Sequence, residues 1–148
     1  MNITRRQVLL FSAGAAVVSL VPGLAYASAD EAAELIREFT GGVEPAKGRI
    51  VLSAPEVAEN GNAVAISFTV DSTMDGQDLV ESVLIVAAGN PRPHVAQFHF
   101  TELSGLAAAS TRIRLAGSQT VTAVAKMADG SLFIDRTDIQ VTVGGCTG

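Results

Sequence analysis

The chain has one cysteine, no tryptophan, one tyrosine and six phenylalanines in 148 residues, and it is short of positive charge. Ten Lys and Arg stand against 15 Asp and Glu, a formal net charge of −5. A single thiol excludes an internal disulfide and a zinc cage built from several cysteines, so packing has to hold the fold together. A pI near 4.9 excludes a sequence-independent grip on nucleic acid, which needs a surplus of cations to neutralise phosphates. Scarce aromatics speak against cation cages and sugar-stacking platforms, which rely on Tyr and Trp faces. The length is that of one small domain. The unusual feature is the position of the one cysteine, Cys146, three residues from the end.

What is present begins with a segment that reads as removable. Arg5 and Arg6 precede an apolar run from Val8 to Val21, and Ala25-Tyr26-Ala27 follows Pro22-Gly23. The run is shorter than the ~20 residues a helix needs to cross a bilayer, and a small-residue cleavage site closes it after Ala27 or Ala29. Thr4-Arg5-Arg6-Gln7-Val8-Leu9-Leu10 has the form of a twin-arginine export signal, so residues 1–27 are expected to be that signal and 28–148 the mature domain. Arg5 and Arg6 leave with the signal, so the mature part sets eight basic residues against fifteen acidic ones, a net of −7. An exported, acidic protein without a stable membrane anchor follows: a prenylation box needs three residues after its cysteine, and Cys146 has two.

Within the mature part, Ser28 or Asp30 is placed to cap a short helix over Asp30 to Phe39, with Ala32, Leu35, Ile36 and Phe39 on one face and Gly41-Gly42 as its stop. From Arg49 onward the period becomes two. Val64, Ile66, Phe68 and Val70 alternate with Ala65, Ser67 and Thr69, the pattern of a half-buried strand, and Asn60-Gly61-Asn62 supplies the turn before it. Further strands are expected over 50–54, 81–88, 95–101, 110–115 and 120–127, and over 132–143 in one or two pieces, with Asp129-Gly130 as a tight hairpin. Seven or so short strands of this spacing predict a mainly β fold, an antiparallel immunoglobulin-like β-sandwich with a short N-terminal helix and a flexible C-terminal tail.

The usual chemical constellations are missing. His94 and His99, five apart on an extended strand, should point to opposite faces and so not share a metal. His99 lies between Phe98 and Phe100 and faces outward if they face the core. Asn90-Pro91-Arg92-Pro93 reads as a rigid turn or edge, because proline cannot donate to a ladder. Asp71, Asp75, Asp78 and Glu81 cluster around Gly76 without the pattern of a calcium loop. Ser104 and Ser118 lack a nucleophile elbow. No cofactor, metal site or catalytic residue is indicated, and a thiol redox enzyme would need a second, resolving cysteine.

The tail, Val143-Gly144-Gly145-Cys146-Thr147-Gly148, therefore draws the attention. Glycines supply no bulk, and three residues from Val143 to Cys146 span about 10 Å at most. Such an arm is able to carry a thiol into a narrow cleft of another protein. The residues leave two other readings open: a disulfide to another chain, and an exported binding module that uses the His99 face and the 90–93 loop. Nothing within the last ten residues is cationic and the terminal carboxylate is close, so the free thiol should have an ordinary pKa of about 8.5 and react weakly.

The tail resembles the Gly-Gly-Cys-Gly-Gly ending of the SoxY family, the sulfur-compound carriers of the periplasmic thiosulfate-oxidising system. The resemblance extends through the N-terminal helix, Ala54-Pro55-Glu56, Glu59-Asn60-Gly61, Asn90-Pro91, Thr111-Arg112-Ile113-Arg114, Ala123-Val124-Ala125 and Asp129-Gly130. It implies a carrier and not an enzyme. Cys146 would be the covalent attachment site for sulfur, and Gly144, Gly145, Thr147 and Gly148 the swinging arm. The implied partners are a SoxZ-like β-sandwich subunit, a c-type cytochrome that joins thiosulfate to the thiol, a manganese-dependent hydrolase that releases sulfate, and other sulfur-oxidising enzymes. Thr147 departs from the pattern, which has Gly there. A β-branched residue stiffens the arm beyond the thiol and bears on which clefts accept it.

Overall fold

A computed structural model describes residues 23–145; the expected export signal up to Pro22 and the end of the tail, Cys146 to Gly148, lie outside them. Helix α1, Gly23–Thr40, starts earlier than the expected Asp30. It ends as the sequence indicates, in a Schellman turn: Gly41 (φ 65°) and Gly42 (φ 82°) adopt left-handed backbone, and the Gly42 amide donates to Arg37 O over 2.9 Å.

Among the described residues nine strands follow: β1 Ala46–Lys47, β2 Ile50–Ser53, β3 Val57–Asn60, β4 Val64–Val70, β5 Val80–Ala87, β6 His94–His99, β7 Ala108–Ile113, β8 Gln119–Met127 and β9 Leu132–Val143. They form a sandwich of two sheets. The larger has the order β1-β9-β8-β5-β6, with β3 also on β9, and the smaller is β2-β4-β7. The sandwich is antiparallel except along the outer edge of β9. There β1 runs parallel to Phe133–Ile134 and β3 parallel to Gln140–Val143. Neither short strand is legible in the sequence, because only Ala58 of the two is buried and no alternation marks them.

The core lies between the sheets. Ile50, Leu52, Ile66, Phe68, Val70 and Ile113 face Val83, Ile85, Ala87, Val121, Ala123 and Ile139, all buried. Fully burying each such aliphatic side chain is worth ~1.5–3 kcal/mol, so these rows carry the fold that no disulfide supports. Phe98 and Phe100 of the β6 end meet Phe68 edge to face, with ring centroids 5.2 and 6.2 Å apart. Strand β5 is buried on both faces: Leu84 and Val86 turn away from the core and are covered by Ala32, with Ile36 and Phe39 alongside. This double burial explains why 83–88 reads as a continuous apolar run and not as an alternation.

One expectation about facing is overturned. The β5–β6 register shifts between Ile85 and Val86, pairing His99 with Ser82 and His94 with Val86. Ser82 and Val86 are an even number of residues apart on one strand and share a face, so a bulge at Val95 brings both histidines to the same side. They remain separated by the length of the strand, and both are exposed. His99 does face outward between two inward phenylalanines, as expected.

Candidate functional site

The tail emerges where three connections meet at one end of the sandwich: the β3–β4 turn, the β5–β6 loop and the β7–β8 loop. The first is built by Asn60, whose Oδ1 accepts the Asn62 amide over 2.9 Å and turns the chain at Gly61. The second contains Asn90 between Gly89 and Pro91. The third runs from Arg114 to Ser118, with Leu115 wholly buried as its plug.

Strand β9 ends among them in steps. Its ladder with β8 stops at Ile139. Beyond that, the Gln140 amide donates to Glu56 O over 2.8 Å, and the Val141 amide donates to Ser118 Oγ over 2.8 Å. Ser118, which the sequence dismisses as a nucleophile, thus serves as a surrogate ladder partner. Val143 O then accepts the Gly61 amide, Leu115 N donates to Gly61 O, and Gly145 N donates to Leu115 O, each at 2.8 Å.

These main-chain bonds work because glycine occupies three crossing points. A Cβ at Gly61 would lie 2.3 Å from Leu115 O and 2.7 Å from Gly145 N; one at Gly144 would lie 2.2 Å from Ala116 O. A Cβ at Gly145 would lie 2.9 Å from Gly61 O. Gly144 and Gly145, expected as part of a free arm, are therefore described in a seat, with Gly145 buried and Gly144 exposed. The close approach of backbones is the reason for glycine here, as well as freedom of rotation. Cys146, Thr147 and Gly148 lie outside the described residues.

A polar network stiffens the seat. Asn90 Nδ2 donates to Arg114 O over 2.8 Å, while its Oδ1 accepts the Ala116 amide and Gln119 Nε2, both over 2.9 Å. Gln119 also donates to Gly117 O over 3.1 Å and accepts the Gly89 amide over 2.8 Å. The 90–93 tract is thus more than a rigid turn, since its asparagine organises the loop that receives the tail. Nothing in the sequence marks Asn90, Leu115 or Gln119 for this role: the prolines beside Asn90 account for a turn by themselves, and its burial shows only in the fold.

The remaining candidates fall elsewhere. Asp78 accepts the Thr73 amide and hydroxyl over 2.7 and 3.0 Å and pairs with Arg49 over 2.5 Å. The Thr73 amide first, then the Arg49 guanidinium, hold its carboxyl down at about 2. Arg49 also donates to Asp71 O and lies over the Phe133 ring, so this acidic loop is a structural tie between the start of β2 and β9. Among the described residues, no three of His, Cys, Asp and Glu come together as metal ligands. Ser104 belongs to a capping box with Thr101.

Comparison with known proteins adds three findings. The family described as sulfur oxidation protein SoxY matches residues 36–146. No curated protein matches the chain. Among solved structures, the sulfur carrier protein SoxY from Chlorobium limicola f thiosulfatophilum is similar, with a TM-score of 0.61 and 24% identity over 78% of this chain and 99% of that one. A superoxide reductase (neelaredoxin) from Ignicoccus hospitalis has a TM-score of 0.55 and 14% identity, covering 64% of this chain and 80% of its own. Both structural likenesses are likenesses of fold.

Proposed function

The chain belongs to the SoxY family of sulfur oxidation proteins, and from that premise we propose that it is an exported carrier that bears sulfur intermediates covalently on Cys146. The observation that carries this reading is the seat. A β-sandwich spends three glycines, a buried leucine and a buried asparagine on fixing the residue directly before its one thiol. Three loops from distant parts of the chain converge on that point, and among the described residues of the tail no side chain contributes to the core there.

The chemistry proposed for Cys146 has two steps. Its thiolate and thiosulfate join through a new S–S bond, and two electrons pass to an oxidant, for which the resemblance implies a c-type cytochrome. Water then attacks the terminal sulfonate sulfur, the S–S bond to it breaks, and sulfate and two protons leave with a persulfide anion still on Cys146. A hydrolase of the manganese-dependent class would perform that step, and further enzymes would oxidise or transfer the sulfane sulfur. The carrier supplies the attachment atom, its presentation and the exclusion of other thiols.

The proposed site of action is the periplasm, reached by the twin-arginine route, with a SoxZ-like sandwich as companion subunit. Folding before export would let such a pair leave the cytoplasm together. Thr147 narrows the clefts able to take the arm. The test is mass spectrometry of the C-terminal peptide after incubation with thiosulfate and a cognate oxidising enzyme. A reductant-sensitive adduct on Cys146 is expected, and an unmodified peptide overturns the reading.

A further inference from the structure

Asn90 is 9% exposed; its amide donates to Ala87 O, and its side chain bonds to Arg114 O and Ala116 N of the β7–β8 loop and to Gln119 at the start of β8. Its side-chain bonds to main-chain groups, Nδ2 donating to Arg114 O and Oδ1 accepting from Ala116 N, straddle Leu115. Leu115 in turn is held at both ends of its own backbone, donating to Gly61 O and accepting from Gly145 N, with its side chain fully buried. The carbonyl that receives the tail is therefore fixed from a loop 55 positions earlier in the chain than Gly145.

We propose that Asn90 is the positioning residue of a latch that clasps the tail at Gly145 and sets how far Cys146 reaches. The proposal rests on the carrier reading only for what the thiol does once extended. With the latch closed, the chain is anchored at the buried Gly145, one residue before the thiol in the sequence. With it open, the chain is free from Val141, whose half-buried side chain packs on the core and whose amide is tied to Ser118. Five residues then separate the thiol from its hinge, a reach of about 16–18 Å.

The peeling segment is built to leave without disturbing the core. Thr142, Val143 and Gly144 are exposed, Val143 to 61%, and Gly145 has no side chain to withdraw. Opening to Val143 breaks the main-chain bonds from Gly145 N to Leu115 O and from Gly61 N to Val143 O together with the β3–β9 pairing of Asn60 with Val143, and withdraws no buried side chain of residues 142–145. A short reach protects the thiol from adventitious chemistry, and a long one enters a cleft. Asn90 decides the balance by holding Leu115 O in place.

The test is amide hydrogen exchange on the full chain, followed by NMR. Asn90→Ala should speed exchange at Gly145 at least tenfold while Phe68 and Ile85 in the core exchange as in the unmodified protein. Gly144→Ala, whose Cβ would press on Ala116 O, should do the same without touching Asn90. A wild-type Gly145 rate in Asn90→Ala overturns the latch. If Asn90→Ala loses core protection, Gln119→Ala decides instead, because it removes one bond to Asn90 Oδ1 and should speed Gly145 at least threefold; no change there also overturns it. The exchange needs no sulfur chemistry. A tail that loosens on schedule while Cys146 never carries sulfur would keep the latch and discard the carrier, and the reverse pattern would do the opposite.

Discussion

Gly61 and Gly145 meet backbone to backbone, 84 positions apart in the chain. A Cβ on Gly61 would stand 2.7 Å from the Gly145 nitrogen, and one on Gly145 would stand 2.9 Å from the Gly61 carbonyl oxygen. Both therefore need to be glycine for the tail to reach Leu115 O. This contact turns the end of β9 from a loose terminus into a defined exit point.

Gly61→Ala should lower stability by about 1–3 kcal/mol, the usual range for overpacking a closed site, because the atoms in the way are backbone and cannot rotate aside. A lower urea midpoint with an unchanged slope is expected. A variant as stable as the parent would contradict the close approach.

Asp78 gives a pH signature. Its carboxyl is held at about 2, below the ordinary value near 3.8, so the folded state favours the ionised form. The stabilisation is fully present above pH 4 and is lost as the pH falls toward 2. Asp78→Asn should therefore be less stable than the parent at pH 6 and should approach it at pH 2. Urea midpoints at both values measure this, and a gap that stays constant would remove Asp78 from the account.

Much of this fold was legible because its strands announce themselves. Val64–Val70 alternates cleanly and appears as β4 with those bounds. The Asp129-Gly130 turn closes the β8–β9 hairpin, with Gly130 at φ 84°. Other features needed the third dimension. The bulge at Val95 moves His94 across the sheet, and no local residue type marks it. The parallel edge strand β3 has one buried residue and depends on β9 for its existence. Gly61 reads as turn chemistry, and its second duty, the contact with Gly145, is visible only once Leu115 lies between them. Asn90 was hidden among prolines that account for a turn by themselves. Cys146 was the reverse case, conspicuous in the sequence and beyond the described residues of the structure.

Thiol reactivity supplies a third prediction. The sequence around Cys146 is free of cations, so the rate of alkylation should rise with pH about a midpoint near 8.5. The receiving enzyme, and not the carrier, would then activate the sulfur. A midpoint below about 6.5 in the isolated protein would show local activation and contradict this.

Thr147→Gly isolates the one departure in the tail from the family ending. It should leave Gly145 exchange and the mass of the Cys146 adduct unchanged while raising the rate of transfer to cognate enzymes, since the arm beyond the thiol becomes thinner and freer. Equal rates would show that threonine is tolerated and selects nothing.

The central claim is that Cys146 carries sulfur, and the most direct measurement is the mass of the C-terminal peptide from protein purified without reductant from cells oxidising thiosulfate. Adducts matching sulfane and thiosulfonate groups, removed by reductant and absent from Cys146→Ser, are predicted. A C-terminal peptide that is unmodified, or found only in a disulfide with another chain, under every growth condition would contradict the account.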